Sequence, residues 1–343
     1  MTDTFVTFSL VAIWSAMAMY ALAFIAFTFD LARRAAPAAE VQTVSAAARA
    51  RRESAATGAA STSAGGSASV AGGSTAVLEA PTPPVNTGLG ENDPAAKPSK
   101  WLRVAMALTV IAWLLHAGGT VFRGIAANRV PWANMFEFSL TATAIIVLVF
   151  LLVQFWQDVK FIGAFVTGFA LLFLGIATTN FYVDVVPLPP ALQSAWLVIH
   201  VFVASLGTGF FALGAAISVT QLLQASIGGR RPRFLSTIPD AERLENLAYR
   251  LIVIGFVFWT FTLIAGAIWA EHAWGRYWGW DTKEVWTFII WVIFAGYIHA
   301  RATRGWRGSR SAWLAIIGFA AVIFNFTIVN LFFKGLHAYS GLM

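Results

Sequence analysis

The sequence predicts an all-α, polytopic integral membrane protein with about eight transmembrane helices and both termini outward. Three observations carry this expectation. The 343 residues are 58% hydrophobic and only 11% charged, where a soluble domain carries about 25% charged residues. Apolar runs approaching or exceeding the roughly 20 residues needed to cross a bilayer recur eight times. The basic residues gather in the short loops on one side of those runs.

The runs, in order, are roughly 5–28, 101–119, 136–155, 161–180, 195–223, 249–270, 284–300 and 312–332. The first is too long for a removed signal peptide and lacks a small-residue cleavage site. The seventh covers only about 25 Å as a helix, so it is expected to begin inside the polar stretch before it. Residues 35–98 are different material. They are mostly Ala, Ser, Gly, Thr and Pro without an aromatic residue, too poor in apolar surface to offset the entropy of ordering. The expected organisation is a first transmembrane helix (1–34), a disordered cytoplasmic linker (35–98) and a seven-helix membrane domain (99–343).

Charge sets the expected orientation. With the N-terminus outside, the inward loops hold fifteen basic residues near the spans, among them Arg33, Lys100, Arg231, Arg301 and Arg310. The outward segments hold five: Arg123, Arg129, Arg276, Lys283 and Lys334. Cytoplasmic loops are the ones enriched in Lys and Arg. The same distribution explains the net charge of +7 without nucleic acid, which is excluded from the expected partners. No cysteine is present, which rules out disulfides, thiolate metal sites, iron–sulfur clusters and thiol catalysis by this chain.

One outward segment is unusual. Residues 271–284 carry Trp274, Trp278, Trp280 and Tyr277 within seven positions, with Gly275 and Gly279 between them and Asp281, Lys283 and Glu284 after them. Tryptophan and tyrosine favour the headgroup level, so an interfacial belt is the plain reading. Glycines that admit close backbone approach, together with the charged residues, instead suit a flat, mostly apolar ligand with a polar edge, because aromatic stacking adds to simple burial. A porphyrin is such a ligand.

The string Trp274-Gly275-x-x-Trp278-Gly279-Trp280-Asp281-x-x-Glu284 resembles the WWD signature of the haem-handling proteins of cytochrome c maturation, and is most similar to the CcsA/ResC family of system II (called CcsB in some bacterial lineages). Val130-Pro131-Trp132-Ala133-Asn134-Met135-Phe136-Glu137 resembles that family's segment after an early span. Trp196-Leu197-Val198-Ile199-His200-Val201 and Gly335-Leu336-His337-Ala338-Tyr339 resemble its two outward histidine motifs. The resemblance covers about residues 105–343.

Five histidines are present. His200, near the outward end of span five, and His337, just past span eight, lie on one expected side of the membrane with the Trp-rich loop. Two imidazoles and an aromatic platform are what a six-coordinate haem requires, and the resemblance makes these two the outward axial ligands of the haem iron. Gly275, Gly279, Trp274, Trp278, Trp280 and Asp281 form the expected platform. His299 matches the family's intramembrane histidine and implies a second haem position. It lies fifteen residues beyond Glu284, about 22 Å along a helix, too far to share a haem with His200 or His337. An interaction with the last carbonyls of its own helix, beside Arg301, is the alternative. His116 is a candidate without an assigned role, and His272 reads as loop polarity. Propionates need cations or donors; the candidates are Arg276 first, then Lys283.

The resemblance implies a multi-pass protein of the plasma or inner membrane that accepts haem b, as a substrate in transit, and presents it on the extracytoplasmic face for attachment to apocytochrome c at a Cys-x-x-Cys-His motif. It implies a subunit of a holocytochrome c synthase, working with a ResB/CcsB-like membrane partner. A separate thiol reductase of the thioredoxin-like kind follows from the absence of cysteine here. Two other readings remain at this level. One is a system I-type haem-delivery protein; the other is a transporter or membrane enzyme whose tryptophans form only an interfacial belt.

Overall fold

A computed structural model describes residues 2–35, 99–226, 238–303 and 305–337. Among these residues the regular structure is entirely helical: α1 (Thr2–Ala35), α2 (Lys100–Ala127), α3 (Met135–Val153), α4 (Gly163–Asn180), α5 (Ala195–Ser226), α6 (Ala241–Trp274), α7 (Thr282–Ala302), α8 (Ser309–Phe326) and α9 (Ile328–Phe332), with two single 3-10 turns before α4 and α5. Taking α8 and α9 as one segment, eight helices are long and apolar enough to cross a membrane. The chain is a multi-pass membrane protein. The linker expected over 35–98 lies outside the described residues apart from Ala35, which ends α1.

Several helices run beyond their apolar cores because polar residues at the ends supply caps. α2 begins one residue after Ser99, whose hydroxyl accepts from the Leu102 N–H and donates to Asp30 of α1. Asn134 starts α3 by accepting the Glu137 N–H at 2.9 Å, and Asp240 starts α6 by accepting the Arg243 N–H at 2.8 Å. α6 has 34 residues, about 51 Å by helical rise, so it stands proud of the bilayer core. It stops at Gly275, whose φ of +69° is the left-handed conformation that glycine adopts without a Cβ penalty. α7 starts at Thr282, inside the polar stretch, where the Glu284 carboxylate reaches back to the Asp281 and Gly279 N–H groups at 3.0 and 2.8 Å.

Lipid tails are as apolar as the side chains, so burial alone does little to hold such helices together; packing and interhelical hydrogen bonds do more. Indole N–H groups provide several of these bonds. Trp113 donates to the Ala144 carbonyl at 2.9 Å, Trp259 to the Thr287 carbonyl at 3.1 Å and Trp291 to the Thr260 hydroxyl at 3.0 Å. One buried cluster joins α1 to α6, with Tyr20, Phe136, Phe150 and Leu213 in it. A second lies among α5, α6, α7 and α8, where Phe211 and Phe294 stack. A smaller third cluster, Leu192, Leu197, Val201 and Trp269, closes the end where α5 begins and α6 ends. The candidate site is built on that third cluster.

Candidate functional site

A cavity of about 220 Å³ opens between the start of α5, the end of α6, the start of α7 and the end of α8. Its walls are largely apolar, from Trp132, Phe138, Phe173, Leu197, Trp259, Trp269 and Phe326 among others, with polar exceptions that include His200, Lys283, Glu284, Asn134, Asn330 and His337. Trp278 and Tyr277 of the loop also line it. An apolar recess with a few convergent polar groups is the usual form of a small-molecule site.

The two histidines expected to act together do meet in this cavity. His200 Nδ1 lies 3.0 Å from the Thr262 carbonyl of α6. A carbonyl can only accept, so Nδ1 carries the hydrogen and Nε2 holds a lone pair. Room for the ring comes from Gly266, one turn further along α6: a Cβ there would stand 2.7 Å from His200 Cε1. His337 Nδ1 lies 2.8 Å from the Asp281 carboxylate. Burial holds the His337 imidazole below its ordinary pKa, although the bond to Asp281 opposes this. The hydrogen bond from His337 holds Asp281 below the usual carboxylate range. The pair is therefore a neutral imidazole donating Nδ1–H to a carboxylate, again with Nε2 as the lone-pair nitrogen. Nitrogen ligands of metals are characteristically oriented in this way, by a carbonyl or carboxylate on the other ring nitrogen.

Both rings touch Trp269. His200 stacks on it at 5.9 Å between centroids, and His337 meets it edge-on at 5.4 Å. Trp269 is itself fixed by its indole N–H, 3.0 Å from the Ala191 carbonyl. Trp274 then packs edge-on against both Trp269 and His337 at 4.8 Å. Gly335 lets the chain pass beside Asp281, since a Cβ there would collide with its carboxylate; the Leu336 N–H also bonds this carboxylate, at 3.2 Å.

The remaining expected residues are distributed differently. Trp280 is 72% exposed and meets Trp278 edge-on, away from the cavity lining. Gly275 serves the end of α6, and Gly279 lies under the Arg276 guanidinium. Arg276 leans toward Glu284, at 3.9 Å, and does not line the cavity. Lys283 does, its ammonium held by the Asn330 side chain at 2.5 Å and the Asn325 carbonyl at 3.3 Å. Arg123 and Arg129 are both committed to the buried Glu137, at 3.1 and 2.6 Å. His299 is exposed on α7 outside the cavity; His116 is buried against Tyr20, its Nδ1 3.3 Å from the phenol oxygen; His272 is half exposed and bonds the Ile268 carbonyl.

Trp269, Thr262 and Gly266 went unnoticed in the sequence because they sit inside an apolar run. Trp132 and Asn134 were visible as part of a motif, without a role. A family model described as cytochrome C assembly protein matches residues 132–337. The chain belongs to the cytochrome c assembly protein family. That membership places it in cytochrome c biogenesis, and the matched segment starts at Trp132 and ends at His337, both of which line the cavity. Cytochrome c biogenesis proteins named CcsA are similar across most of their length. The one from Prochlorococcus marinus is 36% identical over 265 residues, covering 68% of this chain and 82% of the relative. Those from Trieres chinensis and a Synechococcus strain are 34% and 33% identical, covering 64% and 69% of this chain and 81% and 86% of the relatives.

Proposed function

We propose that this member of the cytochrome c assembly family holds haem b at the cavity between His200 and His337 and presents it on the extracytoplasmic face for attachment to apocytochrome c, as one subunit of a system II synthase in the plasma or inner membrane. The observation that carries the reading is the matched orientation of the two imidazoles. Each has Nδ1 tied to a fixed acceptor, each keeps Nε2 for iron, and both are set on Trp269 at one cavity. An aromatic belt at the headgroup level would need neither the paired tautomers nor the recess.

The residues present fit haem as the substrate. His200 and His337 supply axial nitrogens, while Trp269, Trp274 and Trp278 supply flat apolar contact. Asp281 and Thr262 orient the two imidazoles, and Asp281 places its negative charge one hydrogen bond from the His337 ring. Bound haem supplies the vinyl groups; attachment joins them to the thiols of a Cys-x-x-Cys-His motif. This chain's contribution is positioning, since it brings no thiol of its own. A thioredoxin-like reductase keeps the apocytochrome thiols reduced, and a ResB/CcsB-like membrane protein completes the synthase. In this reading residues 1–34 and 99–343 form the membrane body. His299, on the surface of α7, belongs to a second haem position completed by another polypeptide.

A visible spectrum of the purified protein tests the proposal directly. A Soret band with a six-coordinate signature is expected. In His200→Gly and His337→Gly, cytochrome c maturation should fall and recover in part with added imidazole, which supplies the missing nitrogen. Full maturation in the double variant without imidazole removes both residues from the mechanism.

A further inference from the structure

Lys283 lines the cavity, and it is the one Lys or Arg among the described residues that does so. An ammonium has three hydrogens. The Asn330 side chain and the Asn325 carbonyl take two of them, so one is left for whatever enters the cavity. A cation placed against largely apolar walls is costly unless it is paired.

A second polar group faces the same problem. Asn134 is only 5% exposed and also lines the cavity. Its Oδ1 is occupied as the cap of α3, accepting the Glu137 N–H. That bond identifies the other amide atom as nitrogen, and this buried Nδ2 has no partner. The two donors belong to neighbouring parts of the wall. Phe138, one turn beyond Asn134 on α3, stacks on Phe326 at 5.0 Å, and Phe326 follows Asn325, whose carbonyl holds Lys283. Two carboxylates stand by Lys283. Asp281 is bonded by His337 and the Leu336 N–H. Glu284, which also lines the cavity, takes the Asp281 and Gly279 N–H groups on Oε2, with Arg276 at 3.9 Å from Oε1.

We propose that Lys283 and Asn134 form a carboxylate clamp in the cavity wall that takes a propionate of haem and so sets which edge of the porphyrin faces the incoming polypeptide. One ammonium hydrogen and one amide hydrogen suit the two oxygens of a carboxylate, and charge-assisted bonds of this kind are the stronger ones. Haem carries its propionates on one side of the macrocycle and its vinyls away from them. Fixing the carboxylate edge at the starts of α3 and α7 turns the vinyl-bearing edge away from those helix ends. Arg276, the first candidate from sequence, lies outside the cavity and is replaced in this role by Lys283. The proposal rests on the haem reading above.

The test compares haem with its dimethyl ester, which keeps the iron and the ring but loses both negative charges. Each is titrated by its Soret band into the purified full chain, and the preference for haem over the ester is compared between variants, so that unequal partition into detergent cancels. Lys283→Gln should lower that preference about tenfold or more, a shift of roughly 1.4 kcal/mol per decade, mainly through weaker haem binding. Lys283→Arg, which keeps the charge, should retain most of it. Asn134→Asp keeps the helix cap but puts a negative oxygen where the amide donor stood, and should also lower the preference. Binding of the ester by each variant shows that the protein is folded. An unchanged preference in Lys283→Gln and Asn134→Asp overturns the clamp while leaving the haem reading intact. Absence of any Soret band from the unaltered protein with either porphyrin overturns the haem reading, and the clamp with it.

Discussion

Asp281 holds His337: the carboxylate accepts the Nδ1–H at 2.8 Å, and the next carboxylate contact is the Leu336 N–H one residue earlier in the chain. The relationship ties the first residue before α7 to a segment 56 positions later. It also changes the meaning of the aspartate in the Trp-rich signature. Asp281 fixes the His337 ring from behind and, unlike Trp278, does not line the cavity.

Asp281→Asn should therefore behave as a ligand-orienting variant. The amide can still accept from Nδ1 but no longer with a negative charge, and losing such a partner typically costs about 10–100-fold in metal affinity. A Soret titration should show weaker haem binding of that order with the six-coordinate spectrum retained at saturation. Affinity equal to that of the unaltered protein would show that the carboxylate does not tune His337.

Gly266 makes a sharper prediction about His200. Its hydrogen faces the imidazole where a methyl group would stand 2.7 Å from Cε1. Gly266→Val should push the ring off the Thr262 carbonyl, and haem should then appear five-coordinate or exchange readily with imidazole. Gly296→Val is the control, since a Cβ at Gly296 meets nothing within 4 Å. Identical haem spectra in the two variants would contradict the placement of His200.

The tryptophans should separate by position. Trp269→Ala removes the ring that touches both histidines, and Trp280→Ala removes one that is 72% exposed. Haem per protein molecule should fall several-fold in the first and stay within about twofold in the second. Truncating a large buried aromatic typically costs about 3–5 kcal/mol, so protein abundance is measured on the same membranes. Equal losses of haem in the two variants would restore the simple view of the signature as one flat platform.

Glu137 predicts a stability effect without a haem effect. It pairs with Arg123 and Arg129 together, one carboxylate shared by two guanidiniums, which also donate to the Val183 and Val186 carbonyls of the α4–α5 connection, at 2.7 and 3.4 Å. Breaking a buried pair by removing one charge costs about 3–5 kcal/mol. Glu137→Gln should lower the amount of protein in the membrane while the haem content of each remaining molecule is unchanged. Normal abundance with less haem would assign the arginines to the ligand instead.

The class of protein was determined by the sequence alone, because crossing a bilayer demands long apolar runs whatever the tertiary fold. All eight segments are helices in the structure, and the short seventh one does begin in the polar stretch before it. The ends were read less well. α6 extends from Ala241 where its apolar run suggested 249, since Asp240 and the residues after it satisfy the cap outside the hydrocarbon. The motifs around Trp274, His200 and His337 were likewise legible, as strings whose residue types suit a porphyrin. Which of those residues share a space was decided only by the tertiary structure. Helical periodicity cannot say that Trp269, buried in an otherwise ordinary apolar run, stands against two histidines from other parts of the chain, or that Gly266 clears space for one of them. Nor can composition tell Arg276, which pairs with Glu284 from outside the cavity lining, from Lys283, which lines it and is held by Asn325 and Asn330. Side-chain direction at a helix start depends on which neighbours offer an acceptor, and for Lys283 those neighbours come from a segment more than forty residues away.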